Sequence, residues 1–67
     1  MRYFIAASSY AAPMFSDEEE RYVKAKSAKK ALKKFKRKHD HPAGWMAVYC
    51  FKSADHYKRG KQPLAIG

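Results

Sequence analysis

The segment from Ser27 to Lys38 constrains the fold more than any other part of the sequence. Its apolar residues follow the i, i+3, i+4, i+7 spacing of a helix that buries one face. They are Ala28, Ala31, Leu32 and Phe35. Ser27 suits the N-cap position, because its hydroxyl can accept from a free amide of the first turn. We predict a helix from Ala28 to about His39, ended by the turn sequence around Pro42. One narrow apolar stripe cannot form a core alone, so this helix must pack on a second layer.

The other apolar residues fall into short runs that are typical of β-strands. We predict strands at residues 2–8, 21–26, 44–52 and 63–66. Residues 53–60 fit a capped helical turn and a polar loop equally well. The β-β-α-β-β order predicts an α+β, two-layer domain, with one basic amphipathic helix packed on a three- to four-stranded sheet. If the second and third strands pair in parallel, the helix is the crossover between them.

The chain of 67 residues is expected to form a single domain, 1–67. A chain this short buries only ~60% of its unfolded surface, which leaves nothing for a second core. Between the first two strands, residues 9–20 contain Pro13 and the acidic run from Asp17 to Glu20. We expect a flexible acidic loop at about 9–20 that can fold over the basic helix.

The sequence has one cysteine, Cys50, which cannot form an internal disulfide. This favours a reducing, cytoplasmic location over the class of small secreted domains held together by disulfides. No apolar run approaches the ~18 residues that span a bilayer, so we expect no membrane partner.

Charge is the most extreme property of the composition, with 15 Lys and Arg against 6 Asp and Glu and a formal net charge of +9. On the predicted helix, cations fill the arc from about 80° to 280° around the axis. Like charges at i, i+4, such as Lys30 and Lys34, repel each other. Lys29 and Lys30 also lie at the helix N-terminus, where the macrodipole favours acids. A face that served stability alone would mix signs, so we predict contact with a polyanion.

The commonest cellular polyanions are phosphate backbones, and we therefore predict a small, non-enzymatic nucleic-acid-binding module. Lysine is a point charge that suits phosphate, whereas base edges are usually read by Arg, Asn or Gln. Contact with the DNA or RNA backbone should therefore be largely independent of sequence. The predicted nucleic-acid-binding residues are Lys26, Lys29, Lys30, Lys33, Lys34, Arg37 and Lys38.

Two alternatives use the same charge pattern. One is a protein-interaction module, such as an inhibitor encoded by a phage or mobile element, that docks on an acidic protein surface. The other is a structural domain whose solvated cationic face serves only solubility.

A second surface is predicted from the alternation of side chains along the strands. The residues expected to face the helix are Val23, Ala25, Met46, Val48 and Cys50. Those expected on the opposite face are Tyr3, Tyr22, Trp45, Tyr49 and Phe51. This uncovered aromatic face could form a homodimer, stack bases, or be covered by Met14 and Phe15 of the acidic loop. We assign self-association to this face, through Tyr22, Trp45, Tyr49 and Phe51.

Reactive residues are few and poorly spaced for chemistry. His39, His41, Cys50 and His56 are able to ligate zinc, but their spacing matches no zinc motif, so we expect no metal site. Cys50 and His56 do not suit the roles of nucleophile and base, because the cysteine lies in an apolar strand that raises its pKa. The glycines are isolated and form no phosphate loop. We therefore expect no catalytic residues, no cofactor and no enzymatic activity.

Overall fold

A computed structural model of the chain describes residues 1–9, 18–39 and 44–67. Over these ranges the protein is a small α+β domain. Its strands are β1 (Arg2–Ser9), β2 (Glu18–Lys24), β3 (Trp45–Phe51) and β4 (Ala65–Ile66). Its helices are α1 (Ala28–Lys38) and α2 (Ala54–Lys58). The strands form one antiparallel sheet in the order β2-β1-β3-β4.

The two helices have local sequence causes. Ser27 caps α1 by accepting a hydrogen bond from the Lys30 amide, as predicted. Ser53 caps α2 in the same way, by accepting from the His56 amide. After α2 the chain turns at Gly60, whose φ of +72° lies in the region that favours glycine. Residues 53–60 therefore take the helical alternative, and the element order gains a second, short helix.

Strand β1 lies between β2 and β3. Parallel pairing of β2 with β3, which we considered from the sequence, would have made those two strands neighbours. Residues 3–7 of β1 are all buried, because both faces of this strand meet apolar layers. β2 and β3 lie on either side of β1 and run antiparallel to it. They do not pair with each other, so the parallel pairing is wrong, and α1 connects them across β1.

Three of the four residues of the acidic run lie in a different element from the one expected. β2 begins at Glu18 and pairs with β1 from its first residue, so residues 18–20 belong to a strand rather than to a loop. Ser9, which was also expected in this loop, is the last residue of β1, and residues 10–17, with Met14 and Phe15, lie outside the described residues.

The core lies between α1 and the sheet. Ala31, Leu32 and Phe35 are buried, as their helical spacing predicts. Phe35 packs in one cluster with fully buried residues of the sheet, among them Ile5 and Val48. Burying a phenylalanine of this kind stabilises the fold by ~1.5–3 kcal/mol, so α1 is firmly attached.

Two aromatic residues lie on the opposite face from the one expected. Tyr3 is directly opposite Val23 in the register and shares its face, so it belongs to the core under α1. Trp45 also lies on this side, with its ring centroid 5.3 Å from that of Phe35. The register between β1 and β3 shifts so that Met46 is the extra residue of a bulge, and it is 52% exposed. The bulge turns Trp45 towards α1, and simple alternation could not show this.

The opposite face of the sheet, called here the outer face, is partly covered by α2. Phe4, Ala6 and Phe51 are buried there, and Ala54 and Tyr57 of α2 pack against them. The rings of Phe51 and Tyr57 meet edge to face at 5.1 Å. This cover comes from a helix that we did not place there from the sequence, while Met14 and Phe15 lie outside the described residues.

Candidate nucleic-acid interface

The solvent side of α1 is uniformly cationic. There is no acidic residue in its first turn, and Lys36, Arg37 and Lys38 occupy its last turn. Within the described ranges, the ion pairs join Arg21 to Glu19 and Arg59 to Asp55, and neither involves α1. The charges of this helix are therefore not neutralised by the described part of the chain.

Beside α1, a cationic groove runs along the flank that faces β2. It consists of two adjoining hollows, of about 400 and 160 Å³, which share Lys24 and Lys34. The larger hollow is lined by Lys24, Ala25, Lys26, Lys30, Lys33, Lys34 and Arg37. Six of these seven residues are Lys or Arg, and none is acidic. The smaller hollow continues towards Lys38 and His39 at the C-terminal end of the helix.

A hydrogen bond fixes one wall of the cationic groove. The Lys34 Nζ donates to the Lys24 carbonyl oxygen at 2.9 Å, which ties the middle of α1 to the end of β2. Lys34 is half-buried, whereas Lys30, Lys33 and Arg37 are exposed. The exposed residues are therefore free to contact a ligand without loss of this tie.

The cationic groove brings together six of the seven predicted binding residues. They are Lys26, Lys30, Lys33, Lys34, Arg37 and Lys38. Lys29 lies apart from the groove, and it lines a hollow on the opposite flank of α1 with Lys36 and Ile66. Lys24 lines the groove and was not among the predicted residues. Its signal was its position, two residues before Lys26 where the strand leads into the helix.

The C-terminal end of the groove is held by a small network around His39. The Trp45 Nε1 donates to the His39 carbonyl oxygen at 2.8 Å, and the Arg21 guanidinium lies 3.1 Å from the His39 Nε2. Arg21 also pairs with Glu19. Desolvation lowers the pKa of His39 below its ordinary value of 6.5, and the charges of Arg21 and Lys38 lower it further. The imidazole is therefore neutral at pH 7 and accepts from Arg21.

The predicted self-association face is smaller than expected. The Tyr22 hydroxyl accepts from the Ala54 amide at 3.0 Å, and Arg2 lies over the Tyr22 ring at 5.1 Å. Phe51 is buried beneath α2, and Trp45 lies on the other side of the sheet, which corrects its assignment to this face. Of the four residues, Tyr22 and Tyr49 remain exposed on the outer face.

The outer face also holds a shallow cleft of about 190 Å³. Its lining consists of small residues of β1 together with Glu18, Glu20, Tyr49 and Tyr57. Glu18 and Glu20 share this face because they lie opposite Ser8 and Ala6 in the register. Glu18 and Glu20 are thus on the opposite face of the sheet from α1, and the expectation that the acidic run folds over the helix is wrong for these two residues.

The reactive residues do not converge. Cys50 is buried in the core under α1, and burial raises the pKa of its thiol to about 11. His56 belongs to α2, on the other side of the sheet, where its Nδ1 lies 2.7 Å from the Ser53 Oγ. Among the described residues no group of three or more His, Cys, Asp or Glu side chains is arranged to hold a metal ion, and His41 lies outside them.

Both helices in the described part of the chain are too short and too polar to cross a membrane. Comparisons with protein-family models, curated proteins and solved structures found no match. The geometry and charge of the cationic groove are therefore the features that bear on function.

Proposed function

We propose that this protein is a non-enzymatic nucleic-acid-binding module that contacts the phosphates of DNA or RNA through α1 and the cationic groove. The observation that carries the proposal is the lining of the larger hollow, to which Lys26 and four residues of α1, Lys30, Lys33, Lys34 and Arg37, contribute and which contains no acidic residue. A concave surface with one sign of charge concentrates oppositely charged ligands. A phosphate backbone supplies regularly repeated negative charge to match it.

The types of residue favour binding without sequence preference. Among the Lys and Arg residues that line the larger hollow only Arg37 has a guanidinium, and the others are lysines. Lysine contacts phosphate as a point charge, whereas bidentate recognition of a base edge needs a planar group such as that of Arg, Asn or Gln. Affinity should therefore vary little among sequences of equal length.

We also propose a reducing, cytoplasmic location. Its support is the use of a single cysteine, which is buried in the core and forms no disulfide within the chain.

The proposal is tested by titrating the protein with duplex DNA, single-stranded DNA and RNA at several salt concentrations. If about four lysines contact duplex phosphates, log K should fall against log salt with a slope of about −3.6, because counterions are released. An affinity that does not change with salt would contradict the proposal.

A matched pair of variants locates the binding surface. Changing Lys30, Lys33 and Arg37 to Glu reverses three exposed charges of the groove and should remove most of the binding. Changing Lys52, Lys58 and Lys61 to Glu alters the net charge equally at exposed positions outside α1. This control should retain most of the affinity, since exposed charges further than about 8 Å away are screened at physiological salt.

An acidic protein surface is the alternative ligand of the same groove. In that case nucleic acid binds weakly in every titration, and the variants of Lys30, Lys33 and Arg37 do not differ from the parent. This result would turn the search towards an acidic protein partner, such as the target of a small inhibitor.

A further inference from the structure

Strand β2 is an edge strand of the sheet, with β1 on one side only. The Ala25 amide donates to the Met1 carbonyl at 2.9 Å and continues the ladder between β2 and β1. Hydrogen-bonded and non-bonded pairs alternate in an antiparallel ladder, so Glu19, Arg21 and Val23 bond to β1. The backbone groups of the residues between them point outwards. Those residues are Glu18, Glu20, Tyr22 and Lys24.

One hydrogen bond supports this assignment. The outward carbonyl of Lys24 accepts from Lys34, and no other hydrogen bond to an outward backbone group of β2 is found in the described ranges. A row of open amides and carbonyls on an edge strand is a template for pairing with another strand. The question is which strand fits it.

The charge pattern of β2 is complementary to itself when reversed. Its first three residues, Glu18 to Glu20, are acidic, and its remaining charged residues, Arg21 and Lys24, are basic. Antiparallel pairing of two such strands places the acidic first residue of each, Glu18, opposite the basic last residue of the other, Lys24, and opposite charges across strands stabilise a sheet. We propose that β2 pairs antiparallel with β2 of a second copy of this chain.

A register centred on Arg21 uses the whole of both strands. It places Glu18 opposite Lys24 of the second copy, and this pair occurs twice by symmetry. The two Arg21 side chains meet at the centre, and each is already paired with its own Glu19. The hydrogen bond from Lys34 to the Lys24 carbonyl is released when that carbonyl joins the ladder between the two copies.

The dimer has a consequence that rests on the proposed function. A two-fold axis perpendicular to the sheet relates antiparallel neighbours, so both copies of α1 lie on the same side of the extended sheet. The cationic groove runs along the β2 flank of α1, and the two grooves therefore meet above the seam. A polyanion bound there would neutralise the repulsion between copies that each carry +9.

Association is tested first without nucleic acid, by sedimentation equilibrium of the full chain at about 0.15 M salt, where charges beyond ~8 Å are screened. The expected result is a monomer–dimer equilibrium. A monomer at every protein concentration overturns the proposal. Because no nucleic acid is present, this outcome would leave the proposed function standing, and loss of nucleic-acid binding would leave the dimer standing.

A proline at residue 20 tests the edge directly. Glu20→Pro removes an amide that points outwards and leaves the ladder to β1 intact. The matched control Glu20→Thr removes the same charge and keeps the amide. We expect the dimer dissociation constant of Glu20→Pro to be at least ~10-fold higher than that of Glu20→Thr. Equal constants in two folded variants, as judged by circular dichroism, overturn the proposal.

Charge reversal gives a test that does not depend on proline. Glu18→Lys and Lys24→Glu should each weaken the dimer, and the double variant should restore it, because the pair forms again with reversed signs. These residues are ~20 Å apart along one strand, so no contact within one copy explains the rescue. Failure of the rescue overturns the pairing. A dimer that is lost in Tyr49→Lys and kept in Glu20→Pro also overturns it, since association would then use the outer face.

Discussion

The two helices of this protein start alike and treat charge differently. Each has a serine N-cap that accepts from the amide three residues on. In α2 the first turn contains Asp55, which pairs with Arg59 at i, i+4 over 3.1 Å. In α1 the first turn contains no acid, and its lysines face one another at i, i+4. The short helix α2 has opposite charges that stabilise a helix in isolation, whereas the long helix α1 has like charges that repel each other.

The two helices differ in how many residues they bury against the sheet, and this difference explains how α1 tolerates its like charges. α1 buries Ala31, Leu32 and Phe35, whereas α2 has no fully buried residue. Each like-charge pair costs ~0.2–0.5 kcal/mol, which is well below the ~1.5–3 kcal/mol from burying one phenylalanine. The core thus stabilises a helix whose surface is available for a polyanion.

Removing the anchor of α1 should have the largest effect. Phe35→Ala should lower the free energy of unfolding by ~3–5 kcal/mol, because it leaves a cavity between the helix and the sheet. The measurement is urea unfolding followed by circular dichroism. The matched change under α2 is Tyr57→Ala, which should cost about 1–2 kcal/mol, since Tyr57 is only half-buried. Equal losses in the two variants would contradict the difference in attachment.

The strongly periodic parts of the fold were predictable from the sequence. The stripe of α1 and its cap at Ser27 depend on contacts within a few residues, and both are confirmed. The position of β1 between β2 and β3 depends on which strands meet after the chain has folded, and no local pattern gives that order. The bulge at Met46 is also invisible locally, and it moved Trp45 to the other face.

The candidate site was predictable in part for the same reason. Residues on one helix are neighbours by geometry alone, so the lysines of α1 were found by their spacing. Lys24 comes to the groove only because β2 runs back alongside α1, and Lys34 then bonds to its carbonyl. Lys29 was predicted to bind together with the other lysines because helical spacing shows that it is exposed. The spacing does not show which flank of α1 lies beside β2.

A single substitution at Lys30 should separate stability from binding. Lys30 is the third residue of α1, and its amide is bonded to the Ser27 hydroxyl, so Lys30→Glu completes a capping box. It also replaces repulsion from Lys34 with attraction. We expect the free energy of unfolding to rise by ~0.5–1 kcal/mol and the affinity for nucleic acid to fall. As a control in α2, Asp55→Lys should lower the free energy of unfolding. A Lys30→Glu variant that binds nucleic acid as tightly as the parent would contradict the role of the groove.

The smallest expected effect is a pH dependence at the C-terminal end of α1. The pKa of His39 is lowered, chiefly by desolvation and then by Arg21 and Lys38, so the folded protein resists a proton that the unfolded chain accepts. The contribution of His39 to stability is therefore fully present above pH 6.5 and is lost as the pH falls through the folded pKa. The measurement is urea unfolding between pH 7.5 and pH 5, a range that extends about one unit or more to either side of the ordinary pKa of histidine. Stability should fall more steeply with decreasing pH in the parent than in His39→Gln. Once protonated, His39 adds a cation to the lining of the groove, so acid should tighten nucleic-acid binding more in the parent than in this variant. Parallel pH profiles for both measurements would show that the imidazole is not held neutral by its neighbours and takes no part in the site.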